Sequence, residues 1–561
     1  MKLLLSIMLF FLMNFVLKAQ TFEWGKTFGG SQSDVAQRIK LSDNGAVFTA
    51  GGFSGQLEIS DTLISGYGFQ DVFVTCHSEQ GSLIWASALG GSGTDQLSAL
   101  CVDNFGDVWI AGRFTGKIDV DPGPDSTLIL SQPANSLEGF LIKLSGTDGS
   151  LLDYRNLTSG GIIDIRSIKT DSETDDIFIG GQYSNTVDFD FGSGFQLRTS
   201  NVTSGDCFVG RYTGDFNFNW MNTFGSTNAS VDFVSAVDFD SQGGLYCTGM
   251  LGGTSDIDPG TGTTNLLCFI DAFLIKYSRS NGQLIWGFNL GGNSLESGNA
   301  LTISEQDEIV ISGTMNSTSF DADPGFGIVT LNSGGITAVP FIARYESSGQ
   351  INSAFALQGA SGLTATISSL QFTVDSYLVA GGYYKGTINF TEAQGGSLSY
   401  ISGDSTDAFV VVYTVDNRLR DIINITGSGN QQVSDILISG PLTFACGQLD
   451  KATLPQEGVL SPIVPGNSTS EAFLFRYNEN PTSNAKANAT PNDVSLFPNP
   501  AKGFVNIDGA FNSAQLIDIS GRILAQASDA RISLETIPSG LYFVKVNSPN
   551  GIVALPLLIG N

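Results

Sequence analysis

Apolar and polar residues alternate in short runs along most of this chain. Within residues 96–157, four such runs cover Gln96–Val102, Asp107–Phe114, Gly139–Leu144 and Leu151–Leu157. Alternation with a period of two predicts β-strands that bury one face. Short segments rich in Gly, Asn and Asp separate the first two runs and the last two, which predicts antiparallel hairpins. The pattern therefore predicts a unit of four antiparallel strands.

Three motifs repeat in step with this unit. The first is a Gly, one further residue and a large apolar residue. Its copies, 61 to 69 residues apart, begin at Gly51, Gly112, Gly181, Gly249, Gly313, Gly381 and Gly447. The second is an acidic or small residue before a Phe, centred on Phe73, Phe140, Phe208, Phe273, Phe341, Phe409 and Phe473. The third runs from an aromatic residue to a Gly turn, as in Trp24–Gly30 and Trp85–Gly91, with weaker copies from Tyr154, Trp220, Trp286, Phe355 and Ile422. All three motifs predict seven copies.

The order of the runs at the two ends predicts how the repeats close. Thr21–Phe28 has the pattern of a fourth strand but precedes any first strand, and Phe473–Tyr477 has the pattern of a third strand with no fourth after it. The N-terminal strand is therefore expected to complete the last unit. Because four-stranded antiparallel sheets repeated radially form a β-propeller, we predict an all-β fold with a seven-bladed β-propeller over residues 20–480.

These repeats resemble the bacterial SBBP-type seven-bladed propeller repeat. The shared pattern is a Trp, Gly-Gly, an inner strand, a Gly turn and an Asp-x-Phe strand, as in Asp271-Ala272-Phe273. The match covers nearly all of residues 21–480 and is best in copies one, two and four. The resemblance implies an exported protein whose repeats form a scaffold without one fixed activity.

After Tyr477 the repeat pattern stops. Residues 481–493 are rich in Asn, Pro, Thr, Ser and Ala, which predicts a flexible linker. Residues 494–561 contain seven short alternating runs, which predict a small C-terminal β-sandwich. These runs are Val494–Asn499, Phe504–Asp508, Gln515–Ile519, Arg522–Ala525, Ile532–Leu534, Gly540–Asn547 and Ile552–Ile559.

Four ordered motifs in residues 494–561 resemble the type A C-terminal sorting domain of the type IX secretion system of Bacteroidetes. They are Phe497–Pro500, Asp518–Arg522, Ile532–Leu534 and Ser539–Val546. The resemblance implies that the type IX secretion machinery is a partner, and that the chain crosses the outer membrane, loses this domain, and is released or attached to surface lipopolysaccharide. Family members often end with a basic residue, whereas this chain ends with Leu557–Asn561. The alternative is an ordinary β-sandwich that binds a ligand.

The first residues predict the compartment. Lys2 precedes an almost wholly apolar run, and Ala19 is a small residue suited to a cleavage site. Because the run is short for a membrane span, we predict a signal peptide over residues 1–19, with a membrane anchor as the alternative. No other stretch of the sequence approaches spanning length. The mature protein is therefore expected at the cell surface or secreted, without a membrane span.

The chain is strongly acidic, with 26 Lys and Arg against 54 Asp and Glu. Its net charge of −28 repels phosphate groups, so nucleic acids and anionic membranes are poor partners, and divalent cations are better ones. An Asp-x-Asp pair recurs between the second and third strands, where alternate side chains could share one Ca²⁺ ion. The pairs are Asp119 and Asp121, Asp188 and Asp190, Asp256 and Asp258, and Asp321 and Asp323. A turn in which Asp oxygens cap backbone N–H groups is the favoured alternative, because no full Ca²⁺-loop signature accompanies the pairs.

Cysteine and histidine give little support for catalysis. The six cysteines have no repeating spacing and are expected to be small buried hydrophobes, with a disulfide between Cys247 and Cys268 as the alternative. His77, the single histidine, is expected near solvent at the end of a third strand. The sequence contains no HExxH, Cys-x-x-Cys, GxSxG or phosphate-binding Gly loop.

The long links between second and third strands point to one face of the repeats as the expected ligand surface. That face also carries Asp34 and Asp95. We expect an exported binding or adhesion protein for a glycan or protein that the sequence does not identify. The alternative is a polysaccharide hydrolase or lyase with paired carboxylates, which needs no histidine. Binding is favoured, because the acids are equivalent between repeats and none breaks the repeat near the central channel.

Overall fold

The structure is a computed structural model of the whole chain. The residues it describes are 21–122, 128–131, 136–227, 231–323, 325, 327–336, 338–391, 397–427, 429–450, 452–453 and 470–478, with 495–502, 504–508, 513–517, 522–527, 531–534, 537–538, 540–548 and 551–559 near the C terminus. The predicted signal peptide at 1–19 and linker at 481–493 lie outside them. The chain divides into two compact units, Met1–Asn480 and Pro481–Asn561. The described residues are all-β, as predicted, and they include no helix that could span a bilayer.

The strands of the first unit follow one another in repeated sets. The first four sets comprise β1 (Thr21–Gly29), β2 (Val35–Leu41), β3 (Val47–Phe53), β4 (Gln56–Ile59), β5 (Thr62–Ser65), β6 (Asp71–His77), β7 (Leu83–Gly91), β8 (Asp95–Val102), β9 (Val108–Phe114), β10 (Lys117–Asp119), β11 (Ile129–Ser131), β12 (Glu138–Leu144), β13 (Leu151–Leu157), β14 (Ile163–Thr170), β15 (Ile177–Tyr183), β16 (Thr186–Asp188), β17 (Leu197–Thr199), β18 (Asp206–Tyr212), β19 (Phe218–Phe224), β20 (Phe233–Phe239), β21 (Gly244–Asp256), β22 (Asn265–Ser278) and β23 (Leu284–Leu290).

The remaining sets continue the same pattern. They comprise β24 (Glu296–Ile303), β25 (Ile309–Met315), β26 (Phe320–Asp321), β27 (Thr330–Leu331), β28 (Val339–Tyr345), β29 (Ile351–Ala356), β30 (Thr364–Phe372), β31 (Leu378–Lys385), β32 (Thr387–Thr391), β33 (Ser397–Ile401), β34 (Asp407–Tyr413), β35 (Leu419–Gly427), β36 (Gln431–Ser439), β37 (Leu442–Leu449), β38 (Ala452–Thr453) and β39 (Glu471–Asn478).

Within the described residues these strands build seven antiparallel sheets with four central strands each, which we number along the chain. Sheets 1 to 6 have the orders β2-β3-β6-β7, β8-β9-β12-β13, β14-β15-β18-β19, β20-β21-β22-β23, β24-β25-β28-β29 and β30-β31-β34-β35. Sheet 7 has the order β36-β37-β39-β1. In it, β1 pairs with β39 from Thr21 opposite Asn478 to Phe28 opposite Ala472. The N-terminal strand thus completes the last sheet, as the sequence predicts.

Neighbouring sheets pack through their first strands and their apolar faces. The first strand of each sheet contacts the first strand of the next, and β36 of sheet 7 contacts β2 of sheet 1. Phe28 of β1, Phe73 of β6 and Leu474 of β39 share one buried cluster, so sheets 7 and 1 have a common core. Burial of each such side chain stabilises the fold by about 1.5–3 kcal/mol.

Every first strand carries a β-bulge at an equivalent position. In β8 the bulge falls at Ser98, because Leu97 lies opposite Gly112 and Ala99 opposite Ala111. A bulge leaves one residue unpaired and redirects the side chains beside it. The bulge residues of sheets 1 to 7 are Gln37, Ser98, Arg166, Ser235, Asn299, Ser368 and Ser434.

This bulge explains the repeated Gly of the first motif. A Cβ atom on Gly112 would lie 2.0 Å from the carbonyl oxygen of Gln96 and 2.9 Å from Cζ of Phe140, so no side chain fits there. Phe140, from the second motif, covers the space that the glycine leaves. The glycines with a first-strand carbonyl oxygen at 1.8–2.0 Å from the Cβ position are Gly51, Gly112, Gly181, Gly249, Gly313, Gly382 and Gly447. In sheet 6 the equivalent residue is Gly382, so the sequence motif was placed one residue early at Gly381.

The long links between second and third strands are largely hairpins rather than irregular loops. Five of them contain two short strands, namely β4 and β5, β10 and β11, β16 and β17, β26 and β27, and β32 and β33. In sheet 4 the second and third strands themselves continue into the hairpin, as β21 of 13 residues and β22 of 14 residues. The short strands have no clear alternating pattern in the sequence, because most of them have only two to four residues.

These hairpins join neighbouring sheets. β10 pairs with β7 of the preceding sheet, with Ile118 opposite Gly91, and β4 pairs in the same way with β1. A Cβ on Gly91 would lie 1.6 Å from the carbonyl oxygen of Lys117, so the backbones meet only because Gly91 has no side chain. The Gly-Gly of the third motif, predicted to be a turn, therefore pairs with the hairpin strand of the following set.

The second unit has seven strands whose bounds agree closely with the predicted runs. They are β40 (Ser495–Lys502), β41 (Phe504–Asp508), β42 (Ser513–Ile517), β43 (Ile523–Ala527), β44 (Arg531–Ser533), β45 (Gly540–Ser548) and β46 (Gly551–Ile559). Their order is β43-β42-β45-β46-β40-β41-β44. β40 pairs with β41 near Leu496 and with β46 through Ala501. It therefore connects β41 and β44 on one side with β46, β45, β42 and β43 on the other. Val505, Leu516 and Val544 lie in their shared core.

The glycine beside the bulge gives a direct test of the packing. Gly112→Ala is expected to lower the free energy of unfolding by about 3 kcal/mol, because its methyl group would overlap a backbone oxygen. Gly403→Ala is the matched control, since nothing lies within 4 Å of its Cβ position, and it should change stability by less than about 0.5 kcal/mol. Urea unfolding followed by tryptophan fluorescence measures both. Equal free energies of unfolding for the two variants would contradict the close approach of the Gln96 carbonyl to Gly112.

Candidate functional site

The four Asp-x-Asp pairs lie in the links between second and third strands. The residue between each two acids is buried, so both carboxylates point away from the core. Asp188 Oδ1 accepts hydrogen bonds from the backbone N–H groups of Asp190 at 3.1 Å and Gln196 at 2.8 Å, which holds the two ends of the link together. Asp119, Asp256 and Asp321 accept the equivalent bonds in their own links. This geometry is that of the capping alternative.

The second Asp and a tyrosine complete this arrangement. Asp190 Oδ1 accepts a bond from the N–H of Gly192 at 2.8 Å, and Tyr212 donates its hydroxyl to the carbonyl of the buried Phe189 at 2.7 Å. The same bonds recur for Asp258 with Tyr277 and for Asp323 with Tyr345. The third strand is therefore anchored to the link that carries the carboxylates.

These pairs remain in separate links. Across the described residues, no three His, Cys, Asp or Glu side chains come together in a group that could hold a metal ion. Asp119 and Asp121, Asp188 and Asp190, Asp256 and Asp258, and Asp321 and Asp323 therefore supply two carboxylates per link, and the Ca²⁺ site stays a prediction. Asp188 and Asp190 also border a surface cavity of about 450 Å³ with Tyr154 and Arg155.

Asp34 and Asp95 do not contribute to an exposed surface. Both side chains are completely buried where neighbouring sheets meet. Asp95 Oδ2 accepts a bond from the N–H of Gly91 at 2.8 Å, and Asp34 Oδ2 accepts one from Gly30 at 2.9 Å. The expectation that these acids lie on the ligand face is therefore wrong, because they satisfy the backbone amides of the Gly-Gly segments.

Buried carboxyl groups meet in pairs at four of these junctions. Asp71 and Asp95 lie side by side between sheets 1 and 2, where both accept a hydrogen bond from the N–H of Gly91, at 3.1 Å and 2.8 Å. Burial, and then the charge of Asp71, raises the pKa of Asp95 to about 8. The other pairs are Asp34 with Glu471, Asp206 with Asp232 and Asp271 with Glu296. Burial raises the pKa of Asp34 to about 7 and the pKa values of Asp206 and Asp271 to about 6.

His77 and the cysteines lie inside the protein. His77 is fully buried, is stacked on Phe28 at 5.6 Å, and has no hydrogen-bond partner on either ring nitrogen among the described residues. Burial, and then the charge of Lys26, lowers its pKa to about 4, so it is neutral at neutral pH. The expectation of a solvent-near histidine is wrong. All six cysteines are buried and free, and no disulfide joins Cys247 to Cys268.

A cavity lies among the first strands of all seven sheets. Its volume is about 620 Å³, and its wall runs from the bulges to the turns that follow the first strands, at Ser304–Gln306 and Gly440. This is the end of the sheets opposite the predicted ligand face. The residue after each bulge faces the cavity in every sheet. We call these residues the post-bulge ring, and they are Arg38, Ala99, Ser167, Ala236, Ala300, Ser369 and Asp435.

Two members of the post-bulge ring break its pattern of small residues. Asp435 accepts bonds from Ser369 Oγ at 2.6 Å and from the backbone N–H of Ile39 at 3.1 Å, and it faces Lys40 Nζ at 3.5 Å. Arg38 donates to the carbonyl of Gln37 at 2.9 Å and forms no ion pair within the described part of the chain. Asp435 thus corrects the expectation that no acid breaks the repeat near the central channel. Aligning the first strands on their bulges would have revealed both residues.

Comparisons with known proteins address the C-terminal unit most directly. Residues 495–559 match the family described as the secretion system C-terminal sorting domain. The chain is therefore exported by type IX secretion to the cell surface or beyond it, as the sequence predicts. None of the curated proteins matches the chain.

Several solved structures show a distant likeness to this chain. A protein of unknown function from Dyadobacter fermentans is 8% identical, with a TM-score of 0.33 over 82% of this chain and 99% of that one. PorZ of Porphyromonas gingivalis, titled a surface component of the type IX secretion system, is 11% identical, with a TM-score of 0.18 over 96% and 100% of the two chains. BamB of Moraxella catarrhalis is 12% identical, with a TM-score of 0.24 over 64% and 96%. Scores this low carry no argument about the fold or the function of this chain.

Deletion of residues 494–561 tests the role of the sorting domain. The truncated protein is expected to accumulate in the periplasm, because the segment that the secretion machinery recognises is gone. Fractionation and immunoblotting of the producing bacterium measure its location, and the full-length chain is the control. Truncated protein at the cell surface or in the medium, in the same amount as the full-length chain, would contradict the assignment.

The Asp71–Asp95 pair predicts a specific dependence of stability on pH. Because the pKa of Asp95 is raised in the folded protein, the folded state keeps a proton that the unfolded chain loses above about pH 4. Stability is therefore lost progressively as the pH rises from about 4 to about 8.

Asp95→Asn keeps this position neutral, so it should lose less stability than the unmodified protein between pH 5 and pH 8. Asp61→Asn, in the exposed turn between β4 and β5, is the matched control and should follow the unmodified protein. Urea unfolding across this pH range measures the difference. A curve for Asp95→Asn that parallels the unmodified protein would show that Asp95 is already ionised in the folded state.

Proposed function

We propose that this chain is an exported binding protein whose first unit is a closed seven-bladed β-propeller of the SBBP repeat type. Support for closure comes from two contacts: β1 pairs with β39, and β36 packs against β2. Support for seven blades comes from the sevenfold repetition of the bulge, its glycine and the four-stranded order. The C-terminal unit delivers the propeller to the cell surface or the medium.

Binding, rather than a purely structural role, is supported by one observation. The first strands of all seven sheets line an open polar cavity of about 620 Å³, a size typical of small-molecule sites. The ligand is proposed to be a glycan or a protein segment that enters this cavity. Ca²⁺ at the Asp-x-Asp pairs remains a separate proposal, and these pairs lie in the links rather than in the cavity wall.

A glycan and matrix-protein array tests the proposed function. The full-length protein should capture at least one ligand, and we would repeat the array with Ca²⁺ and with a chelator. Loss of binding with chelator would support cation binding at the Asp-x-Asp pairs. Captured glycans would be weighed by mass spectrometry. Shortened glycans would overturn the binding assignment in favour of a polysaccharide hydrolase or lyase.

Two variants locate the binding site. Ser235→Trp fills part of the cavity and should abolish capture, because Ser235 lies in the cavity wall. Ser31→Trp is the matched control on the exposed opposite face and should leave capture unchanged. Capture lost in Ser31→Trp but kept in Ser235→Trp would move the site to the predicted ligand face. No capture at all would contradict a binding function for these ligand classes.

A further inference from the structure

The charge of the cavity wall differs from that of the protein around it. The whole chain has about two acidic residues for each basic one, with 54 against 26. The cavity wall has more basic than acidic side chains. Its basic residues are Arg38, Lys40, Arg166 and Lys169, and its acidic residues are Asp238, Glu305 and Asp435. Basic side chains are therefore more frequent, relative to acidic ones, in the cavity wall than in the chain as a whole.

Two of the three acids in the cavity wall are already engaged. Asp435 is held by Ser369, Ile39 and Lys40, as described above. Asp238 pairs with Lys169 at 2.8 Å. Glu305 is exposed in a turn at the mouth of the cavity, on sheet 5. The guanidinium group of Arg38, in contrast, bonds only to a neighbouring carbonyl within the described residues.

A second guanidinium group lies two sheets away. Arg166 is the bulge residue of sheet 3, and its side chain stacks over the ring of Phe233 at 3.9 Å. It shares one carboxylate with another arginine, because Asp164 faces Arg166 Nε at 3.1 Å and Arg113 at 3.6 Å. One negative charge thus serves two guanidinium groups, of which only that of Arg166 belongs to the cavity wall. Arg166 also donates to the side-chain oxygen of Gln182 at 3.3 Å.

Uncharged side chains separate Arg38 from Arg166. Sheet 2 lies between sheets 1 and 3, and its first strand presents Ala99 and Leu100 to the cavity. Across the cavity, sheets 4, 5 and 6 contribute Ser235, Asn299 and Ser368, whose hydroxyl and amide groups suit sugar hydroxyls. Phe239 and Phe372, also in the wall, offer apolar surface.

We propose that this cavity binds an acidic saccharide, with one carboxylate of the sugar held over Ala99 between Arg38 and Arg166. Guanidinium groups bind carboxylates through strong, charge-assisted hydrogen bonds. A short ligand or a chain end is favoured over a long polyanion, because an extended polyanion would meet the acidic exterior of a chain with a net charge of −28. This inference rests on the proposed binding function and specifies the ligand class.

Titration calorimetry of the full-length protein tests the proposal. The probes are a disaccharide of galacturonic acid and, as its neutral match, a disaccharide of galactose. The acidic sugar should bind about tenfold more tightly than the neutral one, and its affinity should fall as salt is added. The double variant R38Q/R166Q should lose this preference, whereas R38K/R166K should keep part of it.

R418Q is the matched control, because Arg418 is an exposed arginine that pairs with Asp416 away from the cavity wall. It should bind as the unmodified protein does, and circular dichroism should show that every variant is folded.

Equal affinity for the two sugars, or acidic-sugar binding that survives R38Q/R166Q, would overturn the proposal. Array capture without any binding of the acidic disaccharide would overturn this inference while leaving the proposed function in place. No capture in the array would instead count against the proposed function itself.

Discussion

One backbone contact underlies the geometry of the first unit. In each sheet the bulge of the first strand brings a carbonyl oxygen to within 1.8–2.0 Å of where the Cβ of a second-strand residue would lie. Only glycine accepts this approach, since any side chain would overlap the oxygen. In five sheets a ring carbon of the third-strand Phe lies 2.7–3.0 Å from the same position. Three strands are thus fixed in register by one glycine, one carbonyl and, in those sheets, one aromatic ring.

This contact also decides what lines the cavity. A bulge redirects the residues beside it, and here the residue after the bulge faces the cavity in all seven sheets. Because five of these residues are Ala or Ser, the first strands approach one another without filling the space between them. The cavity is therefore a consequence of the same feature that holds each sheet together.

Neighbouring sheets are joined by a different contact, and this contact requires carboxyl groups to be buried next to each other. The hairpin of one set pairs with the Gly-Gly segment of the preceding sheet, whose amides are then satisfied by buried carboxyl groups such as Asp71 and Asp95. Burying two acids side by side disfavours ionisation of the second one. Burial raises the pKa of Asp95 to about 8, which removes its charge at neutral pH, so a very acidic chain can place carboxyl groups inside its own core.

Much of this fold could be predicted from the sequence, because alternation of apolar and polar residues is a local pattern. Strand bounds in sheet 2, the sevenfold repeat and the role of Thr21–Phe28 all follow from it. The Gly-Gly segments were interpreted as turns because the carbonyl that excludes a side chain at Gly91 comes from Lys117, in another set of strands. His77 was expected near solvent for the same reason, since the stacking ring of Phe28 belongs to the N-terminal strand of sheet 7.

The candidate site was harder to predict than the fold, and the repeat itself explains why. Positions shared by all seven copies, such as Gly112 and Phe140, are those that the sheets need in order to pack. The Asp-x-Asp pairs attracted attention because they repeat, yet their oxygens bond to their own backbone. A single ligand has no sevenfold symmetry, so a site for it requires residues that occur once. Arg38 and Asp435 occur once in a ring of Ala and Ser, which makes this ring the part of the repeat where binding specificity is expected.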